Sequence, residues 1–141
     1  MEKLSVKSLQ IGDYVNYRGQ IIKVTSLYDK GGSNEVGWGI KEDTWVNADN
    51  IEPIPIIPEV LERNGFIEVK HYYPYPTYEY VVDSQKFLIR VAFPKDSKAT
   101  ERTKPIVEVD AEWCWHSGDC EFFHELQHVL RDCKIKKEIV L

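Results

Sequence analysis

Ile11-Gly12-Asp13-Tyr14-Val15-Asn16-Tyr17-Arg18-Gly19-Gln20-Ile21-Ile22-Lys23-Val24 is the stretch that decides how the first part of this chain folds. Its first half is rich in β-branched and aromatic residues, which suit a pleated, half-buried surface. Arg18-Gly19 supplies a turn, and Gln20 to Tyr28 resumes the apolar pattern with Ile21, Ile22, Val24 and Leu27. The two runs therefore predict a β-hairpin. Asp29 to Asn34 is the next turn cluster, with Gly31 and Gly32 able to take positive φ. Val36, Trp38 and Ile40 alternate with Gly37 and Gly39, as in a strand whose second face is closely approached. A further strand begins at Thr44-Trp45-Val46-Asn47, and Ile51 to Ile57 closes the module.

Four or five short strands with tight turns within residues 1–57 predict a small curled barrel of the SH3-like kind. Pro53, Pro55 and Pro58 stiffen the junction that follows. Pro58 to Arg63 reads as a short helix with proline in its first turn and Asn64-Gly65 as its stop. Beyond it the pattern is that of an antiparallel sheet. Ile67, Val69, His71 and Tyr73 share one face of a strand, Tyr78, Tyr80 and Val82 follow, and Phe87, Ile89, Val91 and Phe93 alternate on the next. From Ile106 to Trp113, Val107, Val109, Ala111 and Trp113 face one way and Glu108, Asp110 and Glu112 the other. That acidic row reads as the solvated side of the sheet, or else as a stripe able to hold a divalent cation. A final helix is expected from about Asp119, as N-cap, to Cys133, and the tail from Ile135 offers a last short strand. The whole is an α+β architecture: an N-terminal SH3-like β-barrel (1–57) packed on a C-terminal antiparallel sheet with two helices (58–141).

The chain has 141 residues, 18 Lys plus Arg against 23 Asp plus Glu, and a net charge of −5. A mildly acidic chain is poorly suited to bulk binding of nucleic acid or anionic membrane, which need surplus cations. No apolar run approaches the roughly 20 residues that span a bilayer. Met1 to Lys7 has no apolar signal core, so a cytoplasmic location is expected. Three cysteines, Cys114, Cys120 and Cys133, cannot all pair within one chain, which agrees with a reducing compartment.

One motif carries sharp chemistry. His124-Glu125-Leu126-Gln127-His128 matches H-E-x-x-H, in which histidines one helical turn apart share a zinc ion and the glutamate activates its water. A third ligand is required. Asp132 is one further turn along, but three donors in one straight row put the end positions about 12 Å apart, a poor match to a tetrahedral ion. On a helical wheel Phe122, Phe123, Leu126, Val129, Leu130 and Cys133 form the apolar arc, so His124 and His128 are expected to point away from the core. The preferred reading has no metal and no catalytic residue. The zinc-hydrolase alternative has His124, His128 and Asp132 as ligands and Glu125 as base. For binding, the candidates are Trp38 and Trp45 on the barrel and Tyr73 and Tyr75 in the Tyr72–Tyr78 run, because aromatic side chains give rigid amphipathic contact area.

The opening Ile11–Val15, the junction Asn50-Ile51-Glu52-Pro53-Ile54-Pro55 with Asn64-Gly65-Phe66 after it, and the ending His124 to Leu130 together resemble a set of small proteins carried by phages and mobile elements of gut anaerobes. The resemblance runs in order along nearly the whole chain. It implies a mobile-element context, where small accessory and counter-defence proteins are frequent, and no particular activity. The expectation is a non-enzymatic binding or adaptor protein acting on an unknown protein partner, as a monomer or homo-oligomer. The rivals are the zinc hydrolase and a nucleic-acid accessory factor working through the barrel.

Overall fold

Arg18 and Gly19 have φ of 49° and 80°, the left-handed pair that a two-residue hairpin turn demands. They join β1 (Tyr14–Tyr17) to β2 (Gln20–Lys30), with Tyr17 opposite Gln20 and Val15 opposite Ile22. In the computed structural model, which describes residues 4, 6–30, 33–38, 45–70, 76–81, 87–94, 104–111 and 114–141, β2 continues antiparallel to β3 (Ser33–Trp38). A register shift between Val24 and Ser26 bulges β2 and adds twist. β4 (Trp45–Asn47) pairs with β3, and β5 (Ile51–Glu52) returns to β1. The strand order β4-β3-β2-β1-β5 makes a curled half-barrel, which meets the small-barrel expectation.

Val15, Ile22, Val24, Val36, Ala48 and Ile51 fill the hollow of this sheet, and Leu4, Val6 and Leu9 of the leading segment close it. The buried Asp13 holds that leading segment in place. Its Oδ2 accepts from Gln10 N at 2.7 Å, while its backbone carbonyl accepts from Val24 N at 2.8 Å.

The second sheet is a plain antiparallel meander, β6 (Ile67–Val69), β7 (Thr77–Val81), β8 (Phe87–Ala92), β9 (Ile106–Ala111) and β10 (Trp115–Asp119). Tyr78, Ile89, Val91, Val107 and Val109 are buried on one face, as their alternation predicts. α1 (Pro58–Arg63) precedes this sheet with proline in its first turn, and Gly65, at φ 90°, ends it beside the Tyr80 ring. α2 (Phe123–Asp132) follows the sheet. The fold is thus α+β, mostly antiparallel sheet with two helices. The chain divides into two compact units, residues 1–55 with 122–124 and 141, and residues 56–121 with 125–140. No helix among the described residues is long and apolar enough to cross a membrane.

Two local expectations need correction. Asp119 does not cap a helix: it ends β10, opposite Ile106, and α2 starts only at Phe123. Trp115-His116-Ser117-Gly118-Asp119 has few strand-favouring residues, and its strand conformation comes from pairing with β9. The second correction concerns the tail from Ile135, which forms no strand. The Asn64 side chain instead acts as a one-residue strand for it: Nδ2 donates to Val140 O at 2.9 Å and Oδ1 accepts from Val140 N at 2.8 Å. Nδ2 also donates to Val60 O, and Ile135 and Ile139 are buried.

Asn64→Ala removes this clamp. It should lower the unfolding free energy by about 1–2 kcal/mol, read by urea denaturation, and should speed amide exchange at Val140 well before global unfolding.

Candidate functional site

α2 carries the H-E-x-x-H residues, and their placement differs from the wheel. His124 is only 3% exposed, with its ring stacked on Phe122 at a centroid distance of 6.1 Å and an angle of 10°. Gln127 is also buried, whereas Phe122 and Val129 are only half-buried. The buried face is therefore turned toward His124 by about 60° relative to the apolar arc. Phe123 and His124 group with the half-barrel and the remainder of the helix with the second unit. Phe123 shows the first allegiance, with its N donating to Ile54 O at 2.7 Å and its ring meeting Tyr14 edge-on at 6.0 Å.

The expectation that both histidines look outward is thus corrected for His124, while His128 is half-buried. Glu125 Oε1 accepts from Glu121 N at 3.2 Å, so one oxygen of this carboxylate caps the approach to the helix. Burial first, and the Glu125 charge second, push the Cys120 thiol pKa up. Asp132 is exposed at the other end of α2. No group of three His, Cys, Asp or Glu side chains among the described residues is placed to hold a metal ion.

The acidic row on β9 also has a cation within reach. Arg90 of β8 stands between Glu79 and Glu108 across the strands, with Nε 3.0 Å from Glu79 and Nη1 4.0 Å from Glu108. Glu112 lies outside the described residues.

Of the aromatic candidates, Tyr73 and Tyr75 lie outside the described residues, as does the Trp38 side chain, although the Trp38 backbone pairs with Val24. Trp45 is the one whose surroundings form a site. On the outer face of the half-barrel Ser26, Gly37 and Trp45 lie side by side on β2, β3 and β4, and Tyr28, Glu35 and Asn47 form the next row. Trp45 is 36% and Tyr28 42% exposed, and their rings meet edge-to-face at 6.5 Å. The indole lies over Gly37, where an added Cβ would come within 3.4 Å of it and 3.2 Å of Ser26 Cβ. Tyr28 escaped sequence reasoning, although its two-residue spacing from Ser26 places it on this face. Trp115, 68% exposed on β10, was missed because β10 itself was not foreseen.

No protein-family model, curated protein or solved structure matches the chain. The class that the fold defines is an α+β protein with a curled half-barrel, and function has to be argued from the site.

The different placement of the two histidines has a measurable consequence. His124→Ala should cost about 1–3 kcal/mol of stability as a core truncation, and His128→Ala less than about 1 kcal/mol. Parallel urea titrations of the two variants check this.

Proposed function

We propose that the chain is a non-enzymatic binding or adaptor protein of the cell interior, and that the outer face of its half-barrel around Trp45 and Tyr28 takes a basic, extended segment of a protein partner. The observation that carries this reading is the exposed edge-to-face pair itself, with the indole seated on the side-chain-free Gly37. Large aromatic side chains left half in water, yet held by neighbours, lose little freedom when they are covered.

Two features favour a basic segment. Glu35 lies in the same cross-strand row as Tyr28, opposite it on one side and opposite Asn47 on the other. Arg or Lys side chains gain about 0.5–1 kcal/mol over an exposed aromatic face, and a nearby carboxylate adds to that. The net charge of −5 also draws cationic partners and repels nucleic-acid backbones. An extended segment is favoured because Trp45 sits on β4, an end strand in the sheet order, where a partner strand adds by main-chain pairing and alternate side chains reach the aromatic face.

An array of extended peptides varied in Arg, Lys and Glu content tests the reading. Arg- and Lys-bearing peptides should be selected over acidic ones, and Trp45→Ala and Tyr28→Ala should each weaken capture about 5–30-fold with the circular dichroism spectrum retained. Selection of acidic peptides, or capture indifferent to both substitutions, would overturn it.

A further inference from the structure

Among the described residues the two sheets have four end strands, and β10 is the longest of them, with five residues against two or three in β4, β5 and β6. The main-chain bonds at its two ends decide which of its groups meet β9. Ala111 and Cys114 exchange N–H···O bonds at 2.9 and 3.4 Å, and Cys120 N donates to Pro105 O at 2.8 Å. Between these ends the register is unbroken, from Trp115 opposite Asp110 to Asp119 opposite Ile106. Hydrogen-bonded pairs alternate along an antiparallel ladder, so His116 and Gly118 turn their N–H and C=O toward β9. Trp115, Ser117 and Asp119 turn theirs toward the open edge, and all three residues are exposed, Trp115 at 68%.

We propose that this edge is a homodimer surface: β10 of one copy pairs antiparallel with β10 of a second copy about a two-fold axis at Ser117, joining the five-stranded sheets that end on it. The surface lies on a different sheet from the aromatic face around Trp45 and does not depend on it. Natural proteins blunt sheet edges with very short strands, Lys, Pro or bulges. β10 has no Lys, no Pro and no register shift, so its row of main-chain donors and acceptors is fit to pair.

The strand matches its own reverse in this register, which singles out a second copy as the occupant. Only a two-fold centred on Ser117 pairs all three outward residues: Ser117 meets Ser117 of the second copy, and Trp115 meets its Asp119, once on each side. Each such pair exchanges both N–H···O bonds. Directly opposite residues have Cβ atoms about 4.5–5.5 Å apart, so the indole, a donor at Nε1, lies beside an acceptor carboxylate. His116 falls opposite Gly118 of the second copy, in a pair without main-chain bonds, where side chains come closest and glycine leaves the place open. The two Asp119 carboxylates stay four residues apart along the strand. That is about 13 Å, more than the Debye length of about 8 Å at physiological salt.

Sedimentation velocity over a concentration series of the full chain, with amide exchange at each concentration, tests this. The chain should pass reversibly from monomer to dimer as concentration rises, and the Trp115 and Ser117 amides should gain protection in step with the dimer fraction. Ser117→Pro removes an outward N–H and leaves the ladder with β9 intact, so it should weaken dimerisation at least about tenfold with the circular dichroism spectrum retained. Trp115→Glu sets a carboxylate opposite Asp119 of the second copy and should also weaken it. Adding Asp119→Lys should restore the dimer, because the pair then carries opposite charges. A chain that stays monomeric up to its solubility limit leaves this edge to some other partner and overturns the proposal. So does a dimer in which the two amides exchange as fast as in the monomer, or one indifferent to Ser117→Pro and Trp115→Glu. Exchange on the unaltered chain decides the matter even where a variant fails to fold.

Discussion

A missing side chain at Gly37 is the constraint on which the candidate surface rests. β2, β3 and β4 are adjacent, and Gly37 lies between Ser26 and Trp45 in one cross-strand row. An added Cβ would stand 3.2 Å from Ser26 Cβ and 3.4 Å from the indole, so an alanine would press on both neighbours. With glycine there, the indole settles on the backbone of β3 and reaches Tyr28 diagonally across the sheet. A glycine inside a strand weakens it through lost packing and greater chain entropy. Here that cost accompanies a large flat side chain held on the outer face, away from the Val36 and Val46 side that closes the core.

Much of the fold was legible because its signals are local and periodic. Arg18-Gly19 marked the first hairpin, Gly31-Gly32 lies between the paired Lys30 and Ser33, and Pro58 with Asn64-Gly65 bounded α1. The alternation of Val107 and Val109 with Glu108 and Asp110 described β9 and its two faces. β10 was not legible, because a Trp-His-Ser-Gly-Asp run becomes a strand only through a non-local partner. Nor was the Asn64–Val140 clamp, in which two residues 76 positions apart exchange hydrogen bonds that no sequence period announces.

The candidate site was legible in part. Trp45 was singled out for its chemistry, but its partner Tyr28 required knowing the register of β2, β3 and β4, which puts the two rings on one face. The H-E-x-x-H helix shows the opposite failure. Its spacing is real and both histidines lie on α2, yet His124 is buried against Phe122 and Glu125 binds a backbone N–H. A wheel that counts only apolar residues treats histidine and glutamine as solvent-facing. Both can be buried when a ring stack or hydrogen bonding offsets desolvation.

Fluorine NMR of protein labelled with 5-fluorotryptophan tests the account most directly, because it reads the four tryptophans separately in the intact chain. On titration with an arginine-bearing extended peptide, the Trp45 resonance should move in a saturable way while that of Trp115, on the other sheet, stays in place. A titration that moves Trp115 and leaves Trp45 unchanged would contradict the claim that the Gly37-seated indole is the recognition surface.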